Sequence, residues 1–415
     1  MKNSCDDKGT MFMHGGKVVE SIVKRNIRDL DYPLIFVMIC ISIISCIAVY
    51  TSTYGKANPA TGNAILGIPP HILLRQIAWE ILGYITMFVM IFIDYKSLAK
   101  WHWWFYGIAT SLLLSVFGFH RVNGAHSWIS LPAGLSFQPS ELAKIALILW
   151  TADYMARMNE REYPDYSFRG LLPIFGAFAV PFILTLKEPA LGQALVMLAI
   201  LFSMLIVYVQ KRHLRTMVTG SIVFLVAFML AIGPLANQTI QLLDHQHILH
   251  PYQTQRLISF INPTANTTGA GYQVLEAEIA VGSGGVFGTG LLHGSQTNGS
   301  WIPFQWTDFI FSAIAEQLGF VGSSVLIMLF LIMLFRMVKV AMTALDDFGA
   351  YVIAGSIGMF AFQIFQNIGM NLVLSPATGI TLPFVSYGGS SLVVNFLSIG
   401  IVLSISLRRR TLRFD

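Results

Sequence analysis

The stretch PLIFVMICISIISCIAVYTST, residues 33–53, carries no charged side chain. The hydrocarbon core of a bilayer is about 30 Å thick, and a helix of about 20 apolar residues can cross it. This run is therefore predicted to be a transmembrane helix. Mostly polar residues precede it and no A-x-A cleavage site follows it, so we expect a retained signal anchor rather than a cleaved signal peptide.

Nine further apolar runs follow, and together they predict an all-α polytopic membrane protein with about ten transmembrane helices. The composition agrees, because 55% of the residues are hydrophobic and only 11% are charged, against roughly 25% charged residues in soluble domains. A soluble domain with a charged surface is therefore excluded. The predicted spans cover about residues 33–53, 77–95, 101–119, 140–156, 170–186, 190–209, 215–235, 308–338, 348–374 and 383–407.

The basic residues predict the orientation. If residues 1–32 are cytoplasmic, twenty of the 26 Lys and Arg residues fall on that side, five fall outside, and Lys144 lies within the membrane. Positive residues accumulate in cytoplasmic loops, so both termini are predicted to be cytoplasmic. Membrane orientation thus explains the net charge of +5, and the charge gives no reason to expect nucleic acid as a partner. The three cysteines give no disulfide framework, because two of them lie inside the first run.

Three segments are predicted along the chain. Residues 1–32 form a cytoplasmic leader with an amphipathic juxtamembrane helix on anionic membrane lipids, residues 33–407 form the transmembrane domain, and residues 408–415 form a basic cytoplasmic tail. A large external loop, residues 236–307, joins helices 7 and 8, and loops of that length are usually functional or disordered. Its glycine cluster within residues 282–290 predicts a folded cap or partly re-entrant element, since glycine permits close backbone approach.

An ionisable pair opens the fourth predicted helix. Gln138 and Pro139 precede Glu141, and the i,i+3 spacing puts Glu141 and Lys144 on one helix face. Ionisable side chains at membrane depth are costly unless they are paired or functional. Two interpretations stay open: the pair is purely architectural, or Lys144 supplies positive charge to an anionic substrate such as a diphosphate, with Glu141 and Gln138 beside it.

A carboxylate follows the long loop directly. Asp308, after Thr307, opens the eighth predicted span at the external face. As a helix cap, it would only satisfy free N–H groups. As a general base, a partly desolvated carboxylate would accept a proton from a sugar hydroxyl. Glu316, two turns further, lies near the same helix face and is predicted to line the same cavity.

Two further positions suit an anionic ligand. Arg256 is the only basic residue of the long loop, and its guanidinium fits either phosphate oxygens or lipid headgroups. Ser386 lies in the small-residue segment Pro383–Ser391, which allows either tight helix packing or exposed N–H groups for an anion. The ten histidines include no zinc-binding spacing. The metal that the sequence still allows is a divalent cation, Mg²⁺ or Mn²⁺, bound to phosphate.

These motifs together resemble the SEDS proteins, the family of polytopic cell-wall polymerases that includes RodA, FtsW and SpoVE. The segments Asn367–Met370 and Thr378–Ile380 favour the RodA, rod-shape branch over the division branch. The resemblance covers nearly all ten predicted helices. It is carried by residues 123–125, 138–141 with Lys144, 269–272, 279–285, 307–311 and 382–390.

The resemblance implies a metal-assisted peptidoglycan glycosyltransferase in the bacterial plasma membrane. Such an enzyme polymerises lipid II, an undecaprenyl-diphosphate-linked disaccharide-pentapeptide, into glycan strands and works with a class B penicillin-binding protein. Asp308 matches the family's essential aspartate, which would deprotonate the acceptor's sugar hydroxyl. Lys144 and Arg256 would face the diphosphate leaving group, whose developing charge needs preorganised positive partners.

Several positions depart from the family pattern. Ala190 stands where the family has an aspartate, in Glu188-Pro189-Ala190-Leu191-Gly192, and Glu188 is a candidate to compensate for it. These departures keep open a non-catalytic paralogue that serves as a scaffold for a transpeptidase. The ten predicted helices with intramembrane charges keep open a second alternative, a transporter that flips lipid II across the bilayer. The other departures are Ser127 for an arginine, Phe304 and Trp306 for a glutamate and a histidine, Gln317 for a second acid, and Glu276 for a glutamine.

Overall fold

A computed structural model describes residues 30–54, 72–118, 127–131, 135–161, 168–208, 254, 256, 258–260, 269–299, 301–303 and 305–408. Several predicted features lie outside these residues. They are the leader helix within residues 1–29, the seventh span at 215–235, most of the external loop, residue Phe304 and the tail after Arg408.

Nine long helices in the described residues coincide with nine of the ten predicted spans. Two short helices and a two-stranded antiparallel hairpin accompany them, and sequence analysis did not predict the hairpin. The helices are α1 Tyr32–Thr53, α2 Ile72–Phe92, α3 Tyr95–Ser115, α4 Pro139–Asn159, α5 Phe168–Lys187, α6 Leu191–Tyr208, α7 Ala270–Ser283, α8 Ser295–Gly299, α9 Ile310–Met342, α10 Asp347–Asn371 and α11 Gly389–Leu407; a 3₁₀ turn covers Val116–Gly118, and the strands are β1 Ile129–Leu131 and β2 Leu135–Phe137.

Seven of these helices are long and apolar enough to cross a membrane by composition alone: α1, α2, α5, α6, α9, α10 and α11. The remaining two long helices, α3 and α4, are more polar. Within its one span, α4 carries Glu141, Lys144, Asp153 and Arg157. The all-α polytopic fold is therefore confirmed, whereas the predicted total of about ten crossings is not.

Helix boundaries differ from the prediction where turns precede the helices. α9 begins at Ile310 instead of residue 308, and α11 begins at Gly389 instead of residue 383. Asp308 and the segment 383–388 thus lie in turns, outside the spanning helices. Apolar periodicity could not show this, because apolar side chains such as those of Phe309, Phe384 and Val385 continue from the turns into the helices.

Three aspartates that start helices also fasten neighbouring helices on the predicted cytoplasmic side. Asp31, Asp94 and Asp346 each accept a backbone N–H at the start of α1, α3 and α10. Each also pairs with a basic residue of another segment: Asp31 with Arg336 at 2.7 Å, Asp94 with Arg408 at 3.7 Å, and Asp346 with Lys96 at 3.6 Å. The distribution of basic residues predicts Lys96, Arg336 and Arg408 on one side, and each of them meets an aspartate there in the structure.

Small residues allow the helices to approach closely. α2 packs along α11, and α6 packs along α10. A β-carbon on Gly83 of α2 would lie 2.2 Å from the ring of Phe396, and one on Gly400 of α11 would lie 2.7 Å from the side chain of Met90. Such contacts are typical of membrane helices, whose association depends on close packing rather than on water exclusion.

The end of the external loop is built into a break in α9. The helix loses its regular conformation at Gly319, where φ is 65° and ψ is −164°. In a continuous helix, the carbonyls of Glu316 and Gln317 would accept from the N–H groups of Phe320 and Val321. Here the carbonyl of Glu316 accepts from the N–H of Thr289 at 2.9 Å. The carbonyl of Gln317 accepts from the N–H of Gly290 at 3.1 Å. The loop therefore replaces the helix as the hydrogen-bond partner.

The other two backbone groups at the break are satisfied in the same way. The N–H of Phe320 donates to the carbonyl of Gly285 at 2.9 Å, and the N–H of Val321 donates to that of Val286 at 3.1 Å. Irregular backbone at membrane depth is tolerated only where protein satisfies it. The predicted cap or re-entrant element is thus a glycine segment, residues 284–290, that completes the broken helix.

This junction should be intolerant of side chains at its glycines. A β-carbon on Gly288 would lie 2.1 Å from the carbonyl oxygen of Gln317, and Gly288 has a φ of 81°. We expect Gly288→Ala to lower the free energy of unfolding by about 2 kcal/mol or more. Thermal unfolding in detergent would measure the loss. Gly282→Ala is the matched control, because Gly282 is helical with no atom near the added carbon, and it should leave stability equal or higher. Equal unfolding temperatures of the two variants would contradict the close backbone contact at Gly288.

The predicted orientation can be tested on exposed residues at opposite ends of the bundle. In a cysteine-free variant, Trp301→Cys should react with a membrane-impermeant maleimide added to intact cells, because the external loop places residue 301 outside. Glu160→Cys, just after the opposite end of α4, should react only after the cells are broken. The reverse pattern would overturn the orientation and place Asp308 inside.

Candidate active site

Asp308 lies in a turn that is clamped by α10. Its backbone carbonyl accepts hydrogen bonds from Nδ2 of Asn367 at 2.9 Å and Nδ2 of Asn371 at 3.3 Å. Oδ1 of Asn371 in turn accepts from the N–H of Ser312, in the first turn of α9. The N-cap residue of α9 is Phe309, whose side chain makes no capping hydrogen bond, and the first turn receives its side-chain acceptor from Asn371 instead. The capping interpretation of Asp308 is therefore wrong, and its carboxylate is left for another role.

The turn after Leu382 holds the residues before Asp308. Oγ of Ser386 donates to the carbonyl of Thr307 at 2.6 Å and accepts from the N–H of Leu382 at 2.8 Å. The N–H of Tyr387 donates to the carbonyl of Trp306 at 2.9 Å. Ser386, predicted to bind substrate, thus supports the backbone next to Asp308, and its contact with substrate stays a prediction.

Arg256 and Asp308 meet at Gly379, which sequence analysis did not select as a site residue. A β-carbon on Gly379 would lie 3.0 Å from Nη1 of Arg256 and 3.3 Å from Oδ2 of Asp308. Nη1 of Arg256 also donates to the carbonyl of Ala377 at 3.0 Å. Gly379 has a φ of 71°, which favours glycine. Its missing side chain is what allows the guanidinium and the carboxylate to share one small space.

Burial raises the pKa of the Asp308 carboxyl above its ordinary value. The Arg256 guanidinium opposes this effect, and so does a hydrogen bond from Thr307. A carboxylate that is made more basic by desolvation, yet kept ionised by a neighbouring cation, is suited to accept a proton.

A second polar cluster lies at the start of α4. Nζ of Lys144 lies 2.8 Å from Oε2 of Glu141, and both side chains are essentially buried. Oε1 of Glu141 accepts from Nε2 of Gln193 at 2.7 Å. Gln193 was not predicted as a site residue, because nothing in its sequence position shows that α6 packs against α4. Gln138 joins this cluster to α11 through its N–H, which lies 3.4 Å from Oγ of Ser390.

The start of α6 links the two clusters. Gly192 precedes Gln193, and a β-carbon on Gly192 would lie 2.7 Å from the side chain of Ile380 and 3.0 Å from the carbonyl oxygen of Thr378. Those two residues flank Gly379. The predicted residues Lys144, Glu141, Arg256 and Asp308 therefore belong to one continuous region at the predicted external face.

The Glu316 carboxylate binds the short helix α8. Its carboxylate accepts from the N–H groups of Gln296 and Thr297 at 2.8 Å each, and from the hydroxyl of Thr297. These contacts hold the short helix α8 against α9. Neighbouring Gln317 holds the same loop, because its Oε1 accepts from the N–H of Leu292 at 3.1 Å. The structure thus gives Glu316 a role in loop attachment, and its predicted contact with substrate stays a prediction.

Glu188 lies between α5 and α6, and its side chain is fully buried. Neither of its carboxyl oxygens has a hydrogen-bond partner among the described residues. This burial raises the pKa of Glu188 to about 8, so the carboxyl is mostly protonated at neutral pH. Its backbone carbonyl accepts from Oγ of Ser127 at 3.1 Å. Ser127, one of the positions that depart from the family pattern, therefore contacts Glu188, the candidate to compensate for Ala190.

The described residues do not form a resident metal site. No group of three or more His, Cys, Asp or Glu side chains able to hold an ion occurs among them. Asp308 offers one carboxylate, and the adjacent Arg256 guanidinium would repel a cation there. Any Mg²⁺ or Mn²⁺ would need ligands that come with the substrate, as diphosphates supply in many enzymes.

Comparisons with known proteins agree with this architecture. The model of the FtsW, RodA and SpoVE family, described as cell cycle proteins, matches residues 32–411. Stage V sporulation protein E of Bacillus subtilis is 32% identical over 91% of this chain and 96% of its own length. A probable peptidoglycan glycosyltransferase FtsW of Nitrosomonas europaea is 34% identical over 93% and 95% of the two chains. Peptidoglycan glycosyltransferase RodA of Treponema pallidum is 30% identical over 93% and 99%.

Solved structures lead to the same family. One solved chain comes from a peptidoglycan synthase complex, in a structure that describes the structural coordination of polymerization and crosslinking. It superimposes with a TM-score of 0.69 and 28% identity, covering 92% of this chain and 98% of that one. The rod shape determining protein RodA of Thermus thermophilus gives a TM-score of 0.62 with 26% identity over 92% and 98%.

The predicted family is thereby confirmed, and the match extends over most of the protein. The SpoVE, FtsW and RodA relatives differ little in identity, so assignment to the RodA branch stays a prediction. With seven helices able to span a membrane, the chain is a multi-pass bacterial membrane protein. It belongs to the FtsW, RodA and SpoVE family of cell cycle proteins.

Proposed function

We propose that this protein is a peptidoglycan glycosyltransferase that polymerises lipid II. The observation that carries the proposal is the Asp308 carboxylate, which caps no helix and shares a small space with the Arg256 guanidinium. Relatives named as peptidoglycan glycosyltransferases, matched over nearly their whole length, support the same reaction.

In the proposed reaction, Asp308 takes the proton from the acceptor's sugar hydroxyl. The resulting oxygen nucleophile attacks the anomeric carbon of the donor, and the bond from that carbon to the diphosphate oxygen breaks. The diphosphate leaves with the bonding electron pair. General base catalysis of this kind contributes about 10²–10⁴-fold to a rate. The clamp on the backbone of Asp308 supports this role, because a base must be held at a fixed position.

Arg256 is proposed to stabilise the charge that develops on the diphosphate. Its guanidinium already lies beside Asp308, so one end can face the leaving group while the acceptor is deprotonated. Lys144 is proposed to serve the same anion from the second cluster. Because its ammonium is paired with Glu141 in the buried state, the diphosphate would have to share or displace that carboxylate.

A class B penicillin-binding protein is the proposed partner. The support is the likeness to a chain of a complex that coordinates polymerization and crosslinking. A divalent cation is proposed to enter with the diphosphate, since the described residues supply no set of ligands for one.

Replacing the proposed base should abolish polymer formation. In a reaction with purified protein, its penicillin-binding partner and lipid II, Asp308→Asn should lower the rate of glycan synthesis by about 10²-fold or more. The amide keeps the shape of the side chain but accepts no proton. Asp347→Asn is the matched control, because Asp347 is exposed at the start of α10 on the opposite side.

Polymer made by Asp308→Asn at the unsubstituted rate would remove Asp308 from the mechanism. Movement of labelled lipid II across vesicles by the unsubstituted protein, with no polymer under any condition, would favour the transporter instead. Absence of both activities, together with retained binding to the transpeptidase, would favour the scaffold.

The pH dependence should respond to Arg256. Asp308 acts as a base only when it is deprotonated, so the polymerisation rate falls as pH falls through its pKa. The Arg256 guanidinium lowers that pKa, so Arg256→Ala should move the acidic limb of the rate profile to higher pH. Arg256→Lys keeps the positive charge and should move the limb less. If the acidic limb of the rate profile lay at the same pH in Arg256→Ala, the guanidinium would not lower the pKa of Asp308.

A further inference from the structure

A polar network crosses from α1 and α2 to the turn that supports Asp308. Oγ of Ser45 donates to the carbonyl of Val385 at 3.0 Å, and both residues are fully buried. Oγ of Ser45 in turn accepts from Nε2 of Gln76 at 2.9 Å. Since the hydroxyl of Ser45 receives a hydrogen from Gln76, its own hydrogen can be donated, and the carbonyl of Val385 accepts it at 3.0 Å.

Glu80 orients the amide of Gln76. Nε2 of Gln76 lies 3.5 Å from Oε1 of Glu80, and Oε2 of Glu80 accepts from Oγ of Ser42 at 2.8 Å. In this orientation the amide nitrogen of Gln76 lies between Oε1 of Glu80 and Oγ of Ser45, both of which can accept from it. Glu80 is buried inside α2, and it takes part in no ion pair within the described part of the chain. Such a side chain is expensive at membrane depth, which indicates a role beyond packing.

The turn that receives this network is strained and depends on outside support. Phe384 has a φ of 63°, a left-handed conformation that is uncommon for a residue with a side chain. Strain of this kind persists only where the surroundings impose it. The ring of Phe384 is held between those of Phe360 and Phe396, with centroids 5.3 Å away on each side. Ser45 supplies the polar support on the adjacent residue, Val385.

The same turn closes on the segment before Asp308. The N–H groups of Val385 and Ser386 both donate to the carbonyl of Leu382, at 3.2 and 3.0 Å. Ser386 then donates to Thr307, and Tyr387 donates to Trp306. A displacement at Val385 is thereby transmitted to the residues that immediately precede Asp308.

We propose that Ser45 and Gln76, oriented by Glu80, are positioning residues for Asp308 that act through the carbonyl of Val385. None of them touches the reacting groups. They fix the turn at residues 382–387, and this turn fixes the backbone at 306–307. The inference rests on the proposed function for its effect on rate, whereas the effect on the position of residue 308 stands independently.

The kinetic test is Ser45→Ala, which removes the support at Val385. The polymerisation turnover number should fall roughly tenfold or more, because small misplacements of catalytic groups are costly. The KM for lipid II should stay unchanged, because no substrate contact is lost. Ser45→Thr keeps the hydroxyl and should restore turnover. Glu80→Gln should retain turnover, because its amide oxygen still accepts from Gln76, whereas Glu80→Ala should not.

Ser398→Ala is the matched control. Ser398 is another buried serine, and its hydroxyl bonds Ser356 between α11 and α10, away from the turn. It should lower thermal stability about as much as Ser45→Ala while leaving turnover unchanged. Equal losses of turnover in both variants, or none in Ser45→Ala, would overturn the proposal.

A test without enzymatic activity separates this inference from the proposed function. In a cysteine-free background, Asp308→Cys reports the position of that side chain through its rate of reaction with an external maleimide. Adding Ser45→Ala should change this rate several-fold, and adding Ser398→Ala should not. Identical rates in all three proteins would overturn the positioning role, even if lipid II is polymerised. A changed rate would support positioning, even if no polymer is made.

Discussion

The structure depends on one constraint, that backbone polar groups within a membrane must find partners inside the protein. α9 breaks at Gly319, and four backbone groups there lose their helical partners. The glycine segment 284–290 satisfies all four groups with four hydrogen bonds in place of the two helical ones, and glycines on both sides of the contact let two backbones approach within hydrogen-bond distance. The described end of the external loop and the helix that follows Asp308 are therefore one unit, which Glu316 and Gln317 reinforce through their side chains.

The same principle shapes the candidate active site. Asp308 lies outside the regular helix, so its backbone must be held by side chains from elsewhere. Asparagines at the end of α10 hold it from one side, and the turn before α11 holds the preceding residues from the other. Gly379 leaves room for Arg256 beside the carboxylate. Rigid support and a neighbouring positive charge are compatible with the proposed role of Asp308 as a general base.

The departures from the family pattern acquire a physical meaning in this setting. Ser127 bonds the backbone of Glu188, and the buried carboxyl of Glu188 has no hydrogen-bond partner among the described residues. Burial keeps that carboxyl mostly protonated near neutral pH. A neutral carboxylic acid thus lies two residues before Ala190, where the family has an aspartate. The lost carboxylate is not simply moved along the chain, because the two groups differ in charge.

Sequence alone determined the membrane class, the helical spans now described and the family, and it selected Asp308, Arg256, Glu141 and Lys144 as candidate site residues. Hydropathy and local spacing are one-dimensional properties, so a single chain reveals them. Only the tertiary structure decided how those residues are arranged. Gly379, Gln193, Ser45 and Gln76 carry no local signal, because each acquires its contacts from segments far away in sequence. Glu80 does carry one, since it is a carboxylate inside the predicted span 77–95, but its partners are visible only in the structure. The break at Gly319 and the roles of Ser386 and Glu316 depend likewise on which distant backbone groups needed partners.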